Sequence, residues 1–240
     1  SAPELVVSAV ATLKGNPGLA VGNAIGSNIA NMSLVLGITA LIYPLRMEST
    51  ALKREYPVLL LIMLVCFFMA LDGSYSRPEG WALVAGLFLV IVWIVRIGLH
   101  RPPSDPLAEE FDAEIPKNVP TKKAIFWLIV GLIVLPISST ILDEGATTIA
   151  RFMGVSDIVI GLTVVALGTS LPELATAITA ALNKEEDLAI GNIIGSNIFI
   201  LLGVLGIAAS IKAIELSPIF LARDFPAMFQ RTPQPPETVL

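Results

Sequence analysis

Five stretches of this chain contain no Asp, Glu, Lys or Arg: residues 15–45, 56–71, 80–95, 124–142 and 188–211, which are 31, 16, 16, 19 and 24 residues long. A sixth, 158–183, is broken by a single acid, Glu173. Crossing the hydrocarbon of a bilayer takes about 20 mostly apolar helical residues, and the two shorter stretches reach that length with tolerant flanks. The pattern therefore predicts six full transmembrane helices, over 19–43, 56–71, 80–97, 124–149, the segment around Glu173 and 188–211. Residues 4–13 add a partial helix at the N-terminus. Backbone groups in lipid must be satisfied within the protein, and these runs lack the short alternation of barrel strands, so the spans are helices. The expected fold class is an all-α membrane protein.

The chain also repeats itself. Ser1-Ala2-Pro3-Glu4 aligns with Ser170-Leu171-Pro172-Glu173, and Gly22-Asn23-Ala24-Ile25-Gly26-Ser27-Asn28 aligns with Gly191-Asn192-Ile193-Ile194-Gly195-Ser196-Asn197. The offset is 169 throughout, and positions 1–40 share 20 identities with 170–209 without a gap. Such self-similarity marks an internal duplication. The polar, proline-rich stretch 100–123 then divides a first half, 1–99, from a second, 124–212, and leaves a tail, 213–240. The two Pro-Glu helices are five spans apart, so they cross in opposite directions and the repeats are inverted. Lys and Arg are more frequent in the segments on the linker's side, which puts the linker and the turn at Lys184 in the cytoplasm. Because the first copy begins inside its motif at Ser1, the expectation is that a preceding helical segment has been removed. Residues 213–240 offer at most the stub of a further helix.

Composition agrees with the pattern. Hydrophobic residues make up 55% and charged residues 15%, and the mean hydropathy is +0.80, too apolar for a water-exposed domain of this length. A net charge of −5 with no basic stripe excludes a nucleic-acid partner. The partners implied are the lipid bilayer and inorganic cations, and no cofactor is called for. Cys66 is the only cysteine and reads as a small buried hydrophobe. His100, the only histidine, reads as a solvated residue at a span end, and Asp143 and Glu144 as interfacial acids. No Ser/His or paired-Asp arrangement lies in the spans, which argues against an enzyme.

A carboxylate inside a span is expensive and is read as functional. Proline removes a backbone hydrogen bond, and the sequence predicts that carbonyls over 166–170 become free near the Pro172 break. Proline-interrupted helices in two inverted halves point to a secondary transporter with its site near the midplane. Glu4 and Glu173, with the hydroxyls of Ser27, Thr169, Ser170 and Ser196 and the amide of Asn31, form an oxygen-only set suited to a hard cation such as calcium or sodium. The glycine pairs Gly22/Gly26 and Gly191/Gly195 permit close helix packing. Asn28 and Asn197 are candidates either for ligation or for support of the ligands, whereas Asn23 and Asn192 read as structural.

The paired Gly-Thr-Ser-x-Pro-Glu and Gly-Asn-x-x-Gly-Ser-Asn motifs resemble the alpha repeats of the cation/calcium antiporter superfamily, the sodium/calcium exchangers, and its bacterial inner-membrane members in particular. The resemblance implies a ten-helix architecture of which this chain lacks parts at both ends, and a multi-pass location in the cell inner membrane. It further implies exchange of calcium for sodium or protons by alternating access. Glu4 and Glu173 would be the central ligands, completed by Ser1, Thr169, Ser170, Ser27, Ser196, Asn31 and the Ala166 carbonyl. Ile200 stands at the second-half counterpart of Asn31, where the family usually has Asp or Asn. The alternative is a non-transporting remnant of such an antiporter.

Overall fold

In the second copy a lysine takes a backbone position that L-residues avoid, because the two copies share one turn. The computed structural model describes residues 1–50, 52–99, 106–108, 110, 119–155, 157–160, 163 and 165–231. Helix α1 (Ala2–Leu13) ends in a turn where Gly15 adopts φ 88°, and α9 (Leu171–Leu182) ends in the same turn with Lys184 at φ 67°. In both, two backbone N–H groups fold back onto the last carbonyls: Gly15 to Thr12 and Asn16 to Ala11, Lys184 to Ala181 and Glu185 to Ala180. This satisfies acceptors that a helix end leaves open.

The correspondence continues element by element. Helix α2 (Pro17–Ala30), a π-helical turn (Asn31–Val35) and α3 (Leu36–Ile42) match α10 (Glu186–Phe199), a π-helical turn (Ile200–Val204) and α11 (Leu205–Ile211). Every boundary is shifted by 169 residues. The sequence motif is thus duplicated down to the helix irregularity, which the apolar pattern alone did not reveal.

Between the copies lie α4 (Leu52–Met69), strand β1 (Ser74–Tyr75), α5 (Arg77–Leu99) and α6 (Thr121–Phe152). Short helices α7 (Asp157–Ile160) and α8 (Ala166–Thr169) lead into α9, so the apolar stretch around Glu173 is interrupted just before Pro172, as proline requires. After α11 come β2 (Ile214–Glu215), a π turn (Phe220–Asp224) and α12 (Phe225–Arg231). Strands β1 and β2 pair antiparallel, Ser74 with Glu215 and Tyr75 with Ile214. This ladder ties the α4–α5 turn to the chain beyond α11, and two residues are too few to leave a periodic signal.

Among the described residues, four helical stretches are long and apolar enough to cross a membrane: Pro17–Ile42, Leu52–Asp72, Arg77–Leu99 and Glu186–Ile211. The expected span over 124–149 falls inside the 32-residue α6. The stretch Glu186–Ile211 is mostly buried, whereas α5 is the least buried of the four, packing through Gly80, Leu83 and Leu87 and presenting Trp81, Phe88, Leu89 and Val92 outward. Such a face is stable in lipid rather than water.

Helix α5 packs on α11 through glycines. A Cβ on Gly80 would lie 2.7 Å from the Ala209 carbonyl carbon and 2.8 Å from the Gly206 oxygen, and one on Gly206 would lie 3.1 Å from the Gly80 oxygen. The backbones meet because neither position has a side chain. Cys66 is a buried free thiol, and the Tyr75 hydroxyl donates to its carbonyl at 2.7 Å. Glu144 pairs with Lys14 at 3.4 Å with both side chains 65% exposed, in keeping with an interfacial position. His100, most of the linker and the side chains of Pro136 and Asp143 lie outside the described residues.

Candidate ion-binding site

Proline opens both halves of the site. Pro3 and Pro172 occupy the first turns of α1 and α9, where a missing N–H is tolerated and the fixed φ suits the helix. Each is followed by a glutamate, so Glu4 and Glu173 sit in first turns, near the positive ends of their helices. Both are buried, at 0% and 5% exposure.

The two acids share a neighbour. The backbone nitrogen of Ser1 lies 2.6 Å from Glu173 Oε1 and 3.7 Å from Glu4 Oε2. No lysine or arginine among the described residues pairs with either acid.

Hydroxyls and amides join the two copies around them. Ser1 Oγ and Ser196 Oγ each donate to Glu173 Oε1 at 3.3 Å, and these two hydroxyls are 2.5 Å apart. Asn31 Nδ2 reaches across to Ser196 Oγ at 3.3 Å and Asn197 Oδ1 at 2.9 Å. Ser27 Oγ and Thr169 Oγ1 are 3.3 Å apart. Eight of the nine predicted site residues are thus within these contacts or in the same helix starts, since Ser170 is the residue on which α9 begins.

The Ala166 carbonyl departs from expectation. It accepts the Ser170 N–H at 3.1 Å, so it is not freed by the proline, and Thr169 Oγ1 lies 3.3 Å away. A proline at 172 removes the donor that would serve the residue four positions back, Gly168, and leaves the Ala166 acceptor with its partner.

Several buried oxygens of the cluster have no hydrogen-bond donor: Glu4 Oε1 and Oε2, Glu173 Oε2, Asn31 Oδ1 and Ser170 Oγ. Buried polar atoms are satisfied in nearly all proteins, and a set made of oxygens is what a hard cation completes. Among the described residues no group of three or more His, Cys, Asp or Glu is gathered that could hold a metal. The cluster has two carboxylates and otherwise neutral groups, a donor set suited to a hard cation rather than a soft metal.

Sequence reasoning undervalued Asn23. Its side chain contacts Glu4, Ser8, Ser27 and Thr169. Only its place in a repeated motif could have signalled this, and Asn192 holds the same place without those partners. Ile200, the register mate of Asn31, is fully buried in the apolar core.

Comparison with known proteins gives the same family by three routes. The family model for sodium/calcium exchanger protein matches residues 1–97 and 123–231. The chain is 47% identical over 232 residues to a putative antiporter CaxA of Alkalimonas amylolytica, covering 97% of this chain and 73% of that protein. It is 39% identical to the inner membrane protein YrbG of Escherichia coli K12, covering 98% and 76%. Solved structures of the sodium-calcium exchanger NCX_Mj superpose with a TM-score of 0.70 at 33% identity, over 95% of this chain and 72% of theirs. Duplicated Pro-Glu helices, an oxygen-lined pair of buried acids and these matches together assign the chain to the sodium/calcium exchanger family, within the cation/calcium antiporter superfamily.

Proposed function

We propose that the protein is a secondary active antiporter of the inner membrane that exchanges calcium for sodium or protons at a site built around Glu4 and Glu173. The observation that carries this reading is the group of buried oxygens without donors in Glu4, Glu173, Ser170 and Asn31. The reading includes six full spans and a half-helix, arranged as inverted repeats, with the linker in the cytoplasm.

Competition at one cage supplies the coupling. Two carboxylates offset the charge of one divalent cation, and the neutral hydroxyls and amides tolerate sodium as well, so the loads exclude one another. Protonation of either acid removes the same negative charge and gives the same exclusion. The inverted halves then expose the cage to each side in turn, the rocking expected where two repeats meet at a midplane site.

The test is calcium uptake into proteoliposomes under imposed sodium, potassium and proton gradients in turn. The gradient that drives uptake identifies the coupling ion. Glu173→Gln keeps the shape and removes the charge, and uptake falls to the level of empty vesicles. Uptake at the parent rate in that variant overturns the site.

A further inference from the structure

We propose that Asn23 is a positioning residue of the ion site: its amide oxygen takes the hydroxyl protons of Ser27 and Thr169, turning their lone pairs toward the cation, while its amide nitrogen ties that pair to the backbone of Glu4. The inference rests on the ion site proposed above and assigns to it a residue that is not itself a ligand.

The geometry fixes which way the amide points. Asn23 Nδ2 lies 3.2 Å from the Glu4 carbonyl oxygen, an atom that can only accept, and 3.0 Å from Ser8 Oγ. The Ser8 hydroxyl sends its own proton to the Ala20 carbonyl at 3.5 Å, leaving its oxygen to accept. A flipped amide would set oxygen against oxygen at Glu4, so nitrogen faces Glu4 and oxygen faces the hydroxyls. There Asn23 Oδ1 is 3.2 Å from Thr169 Oγ1, nearer than that hydroxyl's other acceptor, the Ala166 carbonyl at 3.3 Å, and 3.4 Å from Ser27 Oγ.

An amide oxygen has two lone pairs and meets two hydroxyl donors here, one from each copy of the repeat. A hydroxyl that has given its proton to Asn23 presents only acceptor character to the space on its other side. A rotating hydroxyl would have to reorient for each ion, and fixed dipoles avoid that reorganisation. Asn23 is fully buried.

The second copy shows that the motif does not need this network in order to pack. Asn192 stands at the same register, yet its Nδ2 has no hydrogen-bond partner. Ala177 stands where the first copy has Ser8, so the hydroxyl that receives the Asn23 amide has no counterpart.

A double-mutant cycle tests the proposal, with calcium KM and maximal rate measured in proteoliposomes for the parent, Asn23→Ala, Thr169→Ala and the double variant. If Asn23 acts through Thr169, its loss raises calcium KM about tenfold in the parent but less than about twofold when Thr169 is already alanine. The same factor in both backgrounds overturns the positioning role and makes Asn23 a packing residue. A Thr169→Ala variant with parental KM instead overturns the proposed ion site. Monodisperse elution in detergent checks folding. Where the alanine variant does not fold, Asn23→Leu, near in shape and wholly apolar, runs the same cycle. Failure of both to fold assigns Asn23 to the scaffold and overturns the proposal.

Discussion

Asn31 donates its side-chain N–H to the Asn197 oxygen at 2.9 Å, joining the π-helical turn of the first copy to the motif helix of the second. The mirror contact cannot form, because the residue at the register of Asn31 is Ile200. One flank of the site therefore has an amide and the other a hydrocarbon. Ile200→Asp supplies an oxygen at the vacant register, and the expected outcome is a stronger dependence of calcium flux on sodium. A sodium titration that superimposes on the parent's would show that position 200 does not face the ions. The variant also buries a polar group in an apolar cluster, so a lower thermal midpoint accompanies the gain.

Lys184 offers a stability prediction free of any functional reading. Its φ of 67° is the left-handed conformation, which its counterpart Gly15 holds at 88°. A side chain there costs about 1–2 kcal/mol that glycine does not incur. Lys184→Gly relieves that strain, offset in part by the greater freedom of glycine in the unfolded chain. The net expectation is about 0.5–1 kcal/mol of stabilisation, seen as a raised thermal midpoint in detergent. An unchanged or lowered midpoint removes the strain argument.

Gly80→Val is expected to fail in the opposite way. Its new atoms would collide with backbone at Ala209 and Gly206, which cannot rotate aside as a side-chain tip can. Helix α5 then separates from α11, with a loss of more than about 3 kcal/mol. Aggregation on size-exclusion chromatography reads this out, and a monodisperse peak with parental stability contradicts it.

Glu110 predicts a pH dependence outside the membrane. Its carboxylate caps the start of α10, accepting the Leu188 N–H at 2.6 Å and the Asp187 N–H at 3.4 Å. Burial, opposed by these two hydrogen bonds and reinforced by the charges of Asp187 and Glu185, pushes its pKa up from 4.5 to about 7. A raised pKa means that the docked state binds the proton more tightly than the undocked one. Docking of this linker segment is therefore fully supported below pH 4.5 and weakens as pH rises through about 7. Hydrogen exchange at Asp187 and Leu188, corrected for its intrinsic base catalysis, should lose protection across that window. Glu110→Gln should flatten the curve, and a parent with pH-independent protection would remove Glu110 as its cause.

The repeat and its two glutamates were legible in the chain because a duplication leaves identical residues at a constant offset, and a lone acid in an apolar run has no inexpensive structural use. That Ser1, Ser27, Asn31 and Ser196 gather near them was legible too, by position in the motif. The freed Ala166 carbonyl was misjudged: Pro172 has no N–H to give the carbonyl four residues back, Gly168, and Ala166 is served instead by the Ser170 N–H. The acidic cap of Glu110 on α10 was hidden for a related reason, since it joins residues more than seventy positions apart.

What the sequence determined by itself was the membrane-spanning character, the duplication and the presence of two acids in apolar surroundings, because burial of apolar runs and the expense of charge in lipid act through residue type and order alone. The tertiary structure decided which oxygens face one another. It placed Ser196 and Asn31 from opposite copies around Glu173, gave Asn23 four partners where Asn192 has an unpartnered amide nitrogen, and left Ile200 in the core. Those outcomes depend on distances between distant segments, and they separate two asparagines that the repeat makes equivalent: Asn23 Nδ2 reaches Glu4 and Ser8, whereas Asn192 Nδ2 has no partner.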